Sequence, residues 1–290
     1  MKRREMLLRT GAAALGLSAL PLRWAVAEPE KRQKVLYFTR SAGFVHSVVN
    51  RQGKPLAYSE KILVELGAKN DIDVVCSQDG AIFDGDLNQF DAIIFYTSGN
   101  LTGKTEQPQP GKPMSVEGKK RLLSAIAAGK GFVGIHAAAD TFRQPGTAVD
   151  PFIAMLGGEF LTHESQQKAT MRSVDPKFPG MNNLGDGFAM LEEWYAFWKF
   201  ASDTHVLLVQ ETAAMHDATY RRPPYPATWA RMHQKGRVFY TSMGHREDVW
   251  TNPTFQQVLL GGIRWVQRNV GDDVTPNILQ VTPAANKLKR

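Results

Sequence analysis

An α/β fold on a parallel sheet is what the sequence predicts, and three observations lead to it. Short apolar runs at 34–39, 72–76, 91–97 and 131–136 alternate with helical periodicity at 55–67 and 115–128, the pattern of a sheet covered on both faces. From 158 to 235 the pattern changes to half-exposed alternation broken by proline and glycine, which reads as an inserted, partly antiparallel subregion. An apolar run at 237–241 and an amphipathic stretch at 254–268 then return to the sheet and close it with a helix.

The elements follow in order. The first run, 34–39, ends in a polar loop, as a buried strand does. The helix over 55–67 stops at Gly67, and 72–76 is the second strand. Residues 91–97 form the third strand, and the proline-bearing stretch 101–114 is an exposed loop. Ser115 with Glu117 opens a helix that runs to Ala128. The fourth strand leads straight into His136, three alanines and Asp140. Within the insertion, 168–174 alternates like a half-exposed strand and 206–210 is apolar. The tail, 269–290, reads as loosely packed. There is no internal repeat and no low-complexity block.

The chain has 290 residues, 43% apolar and 22% charged, enough for one large α/β domain. Its formal charge is +7, but five basic residues and one acidic residue lie within the first 27, so the remainder carries +3. No dense Lys/Arg stripe marks a nucleic-acid partner. The first 27 residues read as a twin-arginine signal peptide: Arg3 and Arg4, a moderately apolar run, then Ala25-Val26-Ala27 as a small-x-small cleavage site. An uncleaved N-terminal anchor is the alternative. Cleavage predicts a periplasmic or secreted protein, exported by the twin-arginine route, with no later segment to hold it in a membrane. The one cysteine, Cys76, cannot form an intramolecular disulfide. It reads as a small buried hydrophobe rather than a reactive thiol.

Parallel sheets place ligands beyond the carboxyl ends of their strands. His46, His136 and His245 each follow a predicted core strand, so their imidazoles converge on one cleft if those strands are parallel. His136 sits at a strand end before small residues, in the kind of turn that presents a nucleophile in α/β hydrolases and amidotransferases. The alanines at 137–139 are expected to leave it room. Histidine serves as a general base or a metal ligand, with Asp140 or Glu193 as its partner. A histidine hydrogen-bonded in a packed turn is the structural alternative. No H-E-x-x-H or C-x-x-C spacing marks a metal site, yet scattered loop histidines can bind a divalent metal. His163 joins the candidate set. Glu192, Glu193 and Tyr195, with Trp198 and Trp229 in the same subregion, pair carboxylates for sugar hydroxyls with aromatic faces for sugar rings. Aromatic packing within a strand is the alternative for each one singly. His205, His216 and His233 read as ordinary residues.

The order and spacing of residues 41–46, 131–140, 157–163, 192–195, 226–229 and 236–245 resemble the ThuA-like, or trehalose-utilisation, family over 34–268. That resemblance implies a flavodoxin-like, class I glutamine amidotransferase-like fold and a role with trehalose-like disaccharides, glycosides or their keto derivatives. It also places His136 where amidotransferases carry their cysteine nucleophile, so thiolate amide chemistry is not expected. Three readings follow. One is a glycoside- or keto-sugar-processing enzyme with His136, Asp140 and Glu193 catalytic and with His46, His163, Glu192, Tyr195, Trp229 and His245 binding substrate. The second is a non-catalytic sugar-binding or sensing protein. The third is a metal-dependent hydrolase using the loop histidines. The sequence does not set the sugar or the oligomeric state.

Overall fold

The computed structural model describes residues 32–105, 107–268 and 274–288. The expected signal peptide lies outside the described residues.

In chain order the strands are β1 (Gln33–Phe38), β2 (Ile72–Ser77), β3 (Ala92–Phe95), β4 (Gly131–Ile135), β5 (Glu159–His163), β6 (Gln167–Ser173), β7 (Gly187–Glu192), β8 (Tyr195–Trp198), β9 (His205–Glu211), β10 (Tyr225–His233) and β11 (Gly236–Thr241). Nine of them make one sheet in the order β2-β1-β3-β4-β11-β10-β9-β6-β7. The first five of that order are parallel neighbours. Their pattern shows why: β3 and β4 are buried at every residue, since helices cover both faces and leave no solvent side to alternate toward. Strand β2, at the sheet's edge, is only partly buried after Ile72.

Helices α1 (Tyr58–Ala68), α2 (Val116–Ala127) and α5 (Pro253–Val266) flank the parallel half. Each start has a side-chain acceptor for a free N–H. Glu60 accepts from Ala57 N at 2.8 Å, Ser115 from Gly118 N at 2.7 Å, and Asn252 from Thr254 N at 2.9 Å. Helix α1 begins at Tyr58, three residues after the expected Pro55. Glu60 is fully buried and also takes Arg51 and Thr39, which anchors the helix start at the end of β1.

The insertion extends the same sheet instead of forming a separate body. Strands β10, β9, β6 and β7 add antiparallel beyond β11, while β5 and β8 pair antiparallel in a two-stranded sheet of their own. Helix α3 (Pro151–Leu156) precedes them. Its six residues are too few for periodicity to reveal, although Asp150 caps it, Pro151 opens it and Gly157 ends it at φ 94°. A short α4 (Glu247–Trp250) follows β11. Among the described residues no helix is long and apolar enough to cross a membrane.

The tail corrects an expectation. Instead of lying loosely, residues 274–288 dock on the insertion. They contain α6 (Ile278–Val281), and Ile278 and Ala285 are buried. Asn277 Oδ1 accepts from Val206 N at 2.6 Å, His205 Nδ1 lies 2.7 Å from the Thr275 carbonyl, and Asn286 exchanges hydrogen bonds with the Phe200 backbone. Arg222 also donates to the Ala285 carbonyl. Affinity spread over side-chain to backbone bonds leaves no apolar periodicity to read.

Two outcomes are expected. Deleting 274–290 removes these bonds and the buried Ile278 and should lower unfolding stability by about 3 kcal/mol; an unchanged urea midpoint would contradict the docking. Burial pushes the Cys76 thiol up to about 12, so at pH 8 iodoacetamide should leave the folded protein unlabelled while labelling it in urea. Cys76→Ala should cost only about 1 kcal/mol.

Candidate functional site

Four segments at the carboxyl edge of the parallel strands meet at one place. The loop after β1 is pinned to the loop after β3: Ala42 N and Gly43 N both donate to the Ser98 carbonyl, at 2.8 and 3.3 Å, and Ser98 Oγ donates to the Phe44 carbonyl at 2.7 Å. The two backbones approach so closely that a Cβ on Gly99, itself at φ +71°, would lie 2.4 Å from Gly43 N. This contact sets where His46 emerges. His136 leaves β4 at φ 43°, a left-handed conformation that a β-carbon disfavours and that the surroundings must impose. Tyr240 Oη donates to the His136 carbonyl at 2.7 Å and holds it there. The alanines at 137–139 are fully buried in a tight 3-10 turn, His136–Asp140. They let the turn pack against the core and do not hold a crevice open as expected. His245 follows β11 after Gly244, and the turn between β7 and β8 brings Glu193.

The rings of His46, His136 and His245 form a nearly equilateral triangle, with centroids 5.1, 5.2 and 5.3 Å apart and every pair close to edge-on. Glu193 closes the set. Its Oε2 lies 3.3 Å from His136 Nε2 and 3.0 Å from His245 Nδ1. One ligand-type atom from each of the four residues falls within 4.8 Å of all the others. His136 Nδ1 donates to the Ser242 carbonyl at 2.7 Å, which fixes the tautomer and leaves Nε2 with a lone pair aimed at the cluster. That Nε2 is buried without an aligned hydrogen bond, as are His46 Nδ1 and His245 Nδ1.

Electrostatics sharpen the picture. Burial, reinforced for His46 by His136 and His245, pushes the His46 and His136 imidazoles below their ordinary value, so both are neutral Lewis bases. Burial works against ionisation of Glu193, but its contacts with His136 and His245 outweigh that and hold its carboxyl well below the usual range. Burial also opposes protonation of His245, yet Glu193 beside it raises that imidazole. Two neutral imidazoles, a third and an ionised carboxylate converge.

Above the cluster lies a cleft of ≈ 150 Å³ lined by Phe44, His46, Asp140, Phe160, His163, Glu193 and Tyr195. The Tyr195 ring covers His136 at 4.0 Å, and its hydroxyl is 3.5 Å from His46 Nε2. His163 stands half-exposed at the rim, its Nδ1 3.4 Å from Glu193 Oε1. Asp140 projects into the cleft and pairs with Arg143 at 2.5 Å.

Three expected roles change. His136 is fully buried beneath the cleft, with one nitrogen held by Ser242 and the other facing Glu193, so it has no face to offer a substrate as a direct base. Glu192 points the other way along the chain from its neighbour: it is fully buried, and its Oε1 accepts from His245 N and Glu193 N at 3.0 and 3.1 Å. It binds the two backbones that carry His245 and Glu193 rather than a sugar, and burial raises its carboxyl to about 7. Trp229 is fully buried, stacked on Tyr240 at 4.2 Å with Nε1 on the Leu156 carbonyl, so no face is free for a sugar ring. Trp198 is likewise spent on Glu159 and Lys199. The cleft's aromatic walls are instead Phe44 and Phe160, which the sequence reading did not single out. The one available signal was Phe44 beside His46 in a loop that follows a core strand. Cys76 lies in β2, outside the cluster.

A family model described as ThuA, trehalose utilisation, matches residues 34–266. In three dimensions the chain is similar to a ThuA-like protein from Parabacteroides merdae, with a TM-score of 0.64 at 17% identity over 85% of this chain and 95% of that one. It is also similar to a ThuA-like protein from Bacteroides uniformis, with a TM-score of 0.59 at 19% identity over 85% and 95%. A Salmonella typhimurium protein described as cytoplasmic, STM3548, aligns at a TM-score of 0.50 and 14% identity over 80% and 98%. At these identities the likeness shows the fold alone. No curated protein matches the chain in sequence. With most of its length matched by that one model, the chain belongs to the ThuA, or trehalose-utilisation, family.

Proposed function

We propose that the protein is a metal-dependent enzyme acting on a carbohydrate, with His46, His136, His245 and Glu193 holding a divalent first-row transition ion. The observation that carries this is the triangle of imidazoles, two buried and one half-buried, gathered around one carboxylate with ligand-type atoms within 4.8 Å of one another. A buried polar atom without an aligned hydrogen bond costs about 1–3 kcal/mol, and His136 Nε2, His46 Nδ1 and His245 Nδ1 are such atoms; a cation held by this cluster offsets that cost. Ligands about 2.1 Å from a common zinc-like ion stand at most roughly twice that apart, so a spread within 4.8 Å needs only small side-chain shifts. Three imidazoles and a carboxylate favour zinc and its neighbours over calcium or magnesium, which prefer all-oxygen sets.

When bound, such an ion polarises a carbonyl or hydroxyl oxygen and lowers the pKa of a coordinated water. The chain's own residues supply the rest. Asp140, at the mouth of the cleft and steadied by Arg143, is placed to take or return a proton. His163 and Tyr195 line the approach as hydrogen-bonding partners for hydroxyl groups, and Ser242 keeps the His136 tautomer correct. The carbohydrate assignment rests on the family's description together with a cleft that pairs carboxylate and aromatic walls. Export by the twin-arginine route, suggested by Arg3, Arg4 and Ala25-Val26-Ala27, fits a protein that takes up its metal while folding in the cytoplasm.

The purified protein should contain about one equivalent of a divalent transition metal, and chelation should lower its Tm. His136→Asn should weaken metal binding by more than about 100-fold, beyond the 10–100-fold typical of an outer-shell partner. Metal-free protein that takes up none of the first-row ions in a calorimetric titration would end this reading. Asp140→Asn should keep the metal and lose turnover by about 10²–10⁴-fold in a screen of disaccharides and their keto forms. Retained turnover would remove Asp140 from the chemistry.

A further inference from the structure

We infer that Phe44, with Phe160 and Arg143, forms an outer subsite that selects two-ring over one-ring sugar ligands. This rests on the carbohydrate reading of the cleft. Phe44 is 63% exposed, third among the large apolar side chains of the described residues after the helical Val116 and Leu279 at 64%, yet its backbone is not free. Ser98 Oγ holds its carbonyl, and the residues before it are bonded to the Ser98 carbonyl. Its ring meets His46 edge-on at 4.8 Å. An aromatic ring shown to solvent from a pinned backbone, next to the cluster, is a platform in search of a face to stack on.

The volumes indicate what covers it. The inner cleft, ≈ 150 Å³, is below the roughly 300 Å³ at which ligand pockets usually begin, and it has no room for a second ring. It opens onto a chamber of ≈ 490 Å³ that shares Phe44, Asp140 and Phe160 with it and adds Gly43, Asn100 and Arg143. A ligand that reaches the cluster with one ring therefore places its next ring here. The chamber has the lining a pyranose prefers: the exposed ring of Phe44 for its C–H side, and Arg143, Asn100 and Asp140 for its hydroxyls, beside a Phe160 ring already packed on Tyr195. Arg143 is itself held in place, its guanidinium 4.9 Å from the Phe160 ring and its Nε on Asp140.

The test compares Kd values, measured by calorimetry on metal-loaded protein, for trehalose, maltose, cellobiose and their keto forms against glucose and its keto form. The parent protein should favour at least one two-ring ligand over its one-ring counterpart. Phe44→Ala, at an exposed position that does not endanger folding, should weaken that two-ring ligand about tenfold more than its one-ring counterpart. Phe44→Trp should keep the preference. Equal weakening of both ligands, or no change in either, overturns the subsite, as does a parent protein that shows no preference. One-ring binding that persists in those cases leaves the carbohydrate reading standing. If the parent binds no sugar of either size, both the carbohydrate reading and the subsite fall, while its metal content still reports on the cluster separately.

Discussion

A carboxylate placed among three imidazoles, two buried and one half-buried, is the constraint on which the rest of the structure depends. Glu193 cannot ionise in the protein interior without partners, and its partners come from the ends of β1, β4 and β11. The parallel half alone can bring three histidines to one edge, because parallel strands end on the same side. Its two other strands, β2 and β3, bring no carboxylate to the cluster. The antiparallel extension supplies it: β10, β9, β6 and β7 continue the sheet until the β7–β8 turn hangs over the same edge. Glu192, one residue earlier, then ties that turn to the β11 loop by accepting from the His245 and Glu193 backbones. The insertion and the parallel core are in this sense one device.

The three central histidines were legible in the sequence because strand ends are. Continuous apolar runs reveal parallel strands, and whatever follows such a run is at the ligand edge. The distinction between Glu192 and Glu193 was not legible. Adjacent residues at a strand end face opposite ways, and only the register of the β7–β8 turn decides which of the two enters the cleft. Trp229 misled for a related reason: an aromatic in the same subregion as a carboxylate pair reads equally as a sugar platform or as core, and pairing with Tyr240 across β10 and β11 settled it as core. The tail's docking was invisible because its hold consists of Asn277, Asn286 and Thr275 bonding to backbone or to His205, which leaves no periodic trace. Short elements such as α3 escaped for want of length, not of signal.

The turn after β4 shows how one backbone device can serve different chemistry. A residue at φ 43° directly after a parallel strand is forced out of the strand direction and aimed at the ligand edge, the same service a nucleophile elbow performs for serine or cysteine. With histidine there, the exposed face is lost: the three alanines pack the turn inward, Tyr195 covers the ring, and Ser242 takes one nitrogen. What remains is a single lone pair with a fixed direction. That is poor equipment for a nucleophile, which must meet the substrate, and good equipment for a ligand, which must only meet an ion. The strained backbone, the buried ring and the fixed tautomer therefore point the same way. In the proposed function the reacting groups lie one layer further out, at Asp140 and the rim, with His136 as the fixed point beneath them.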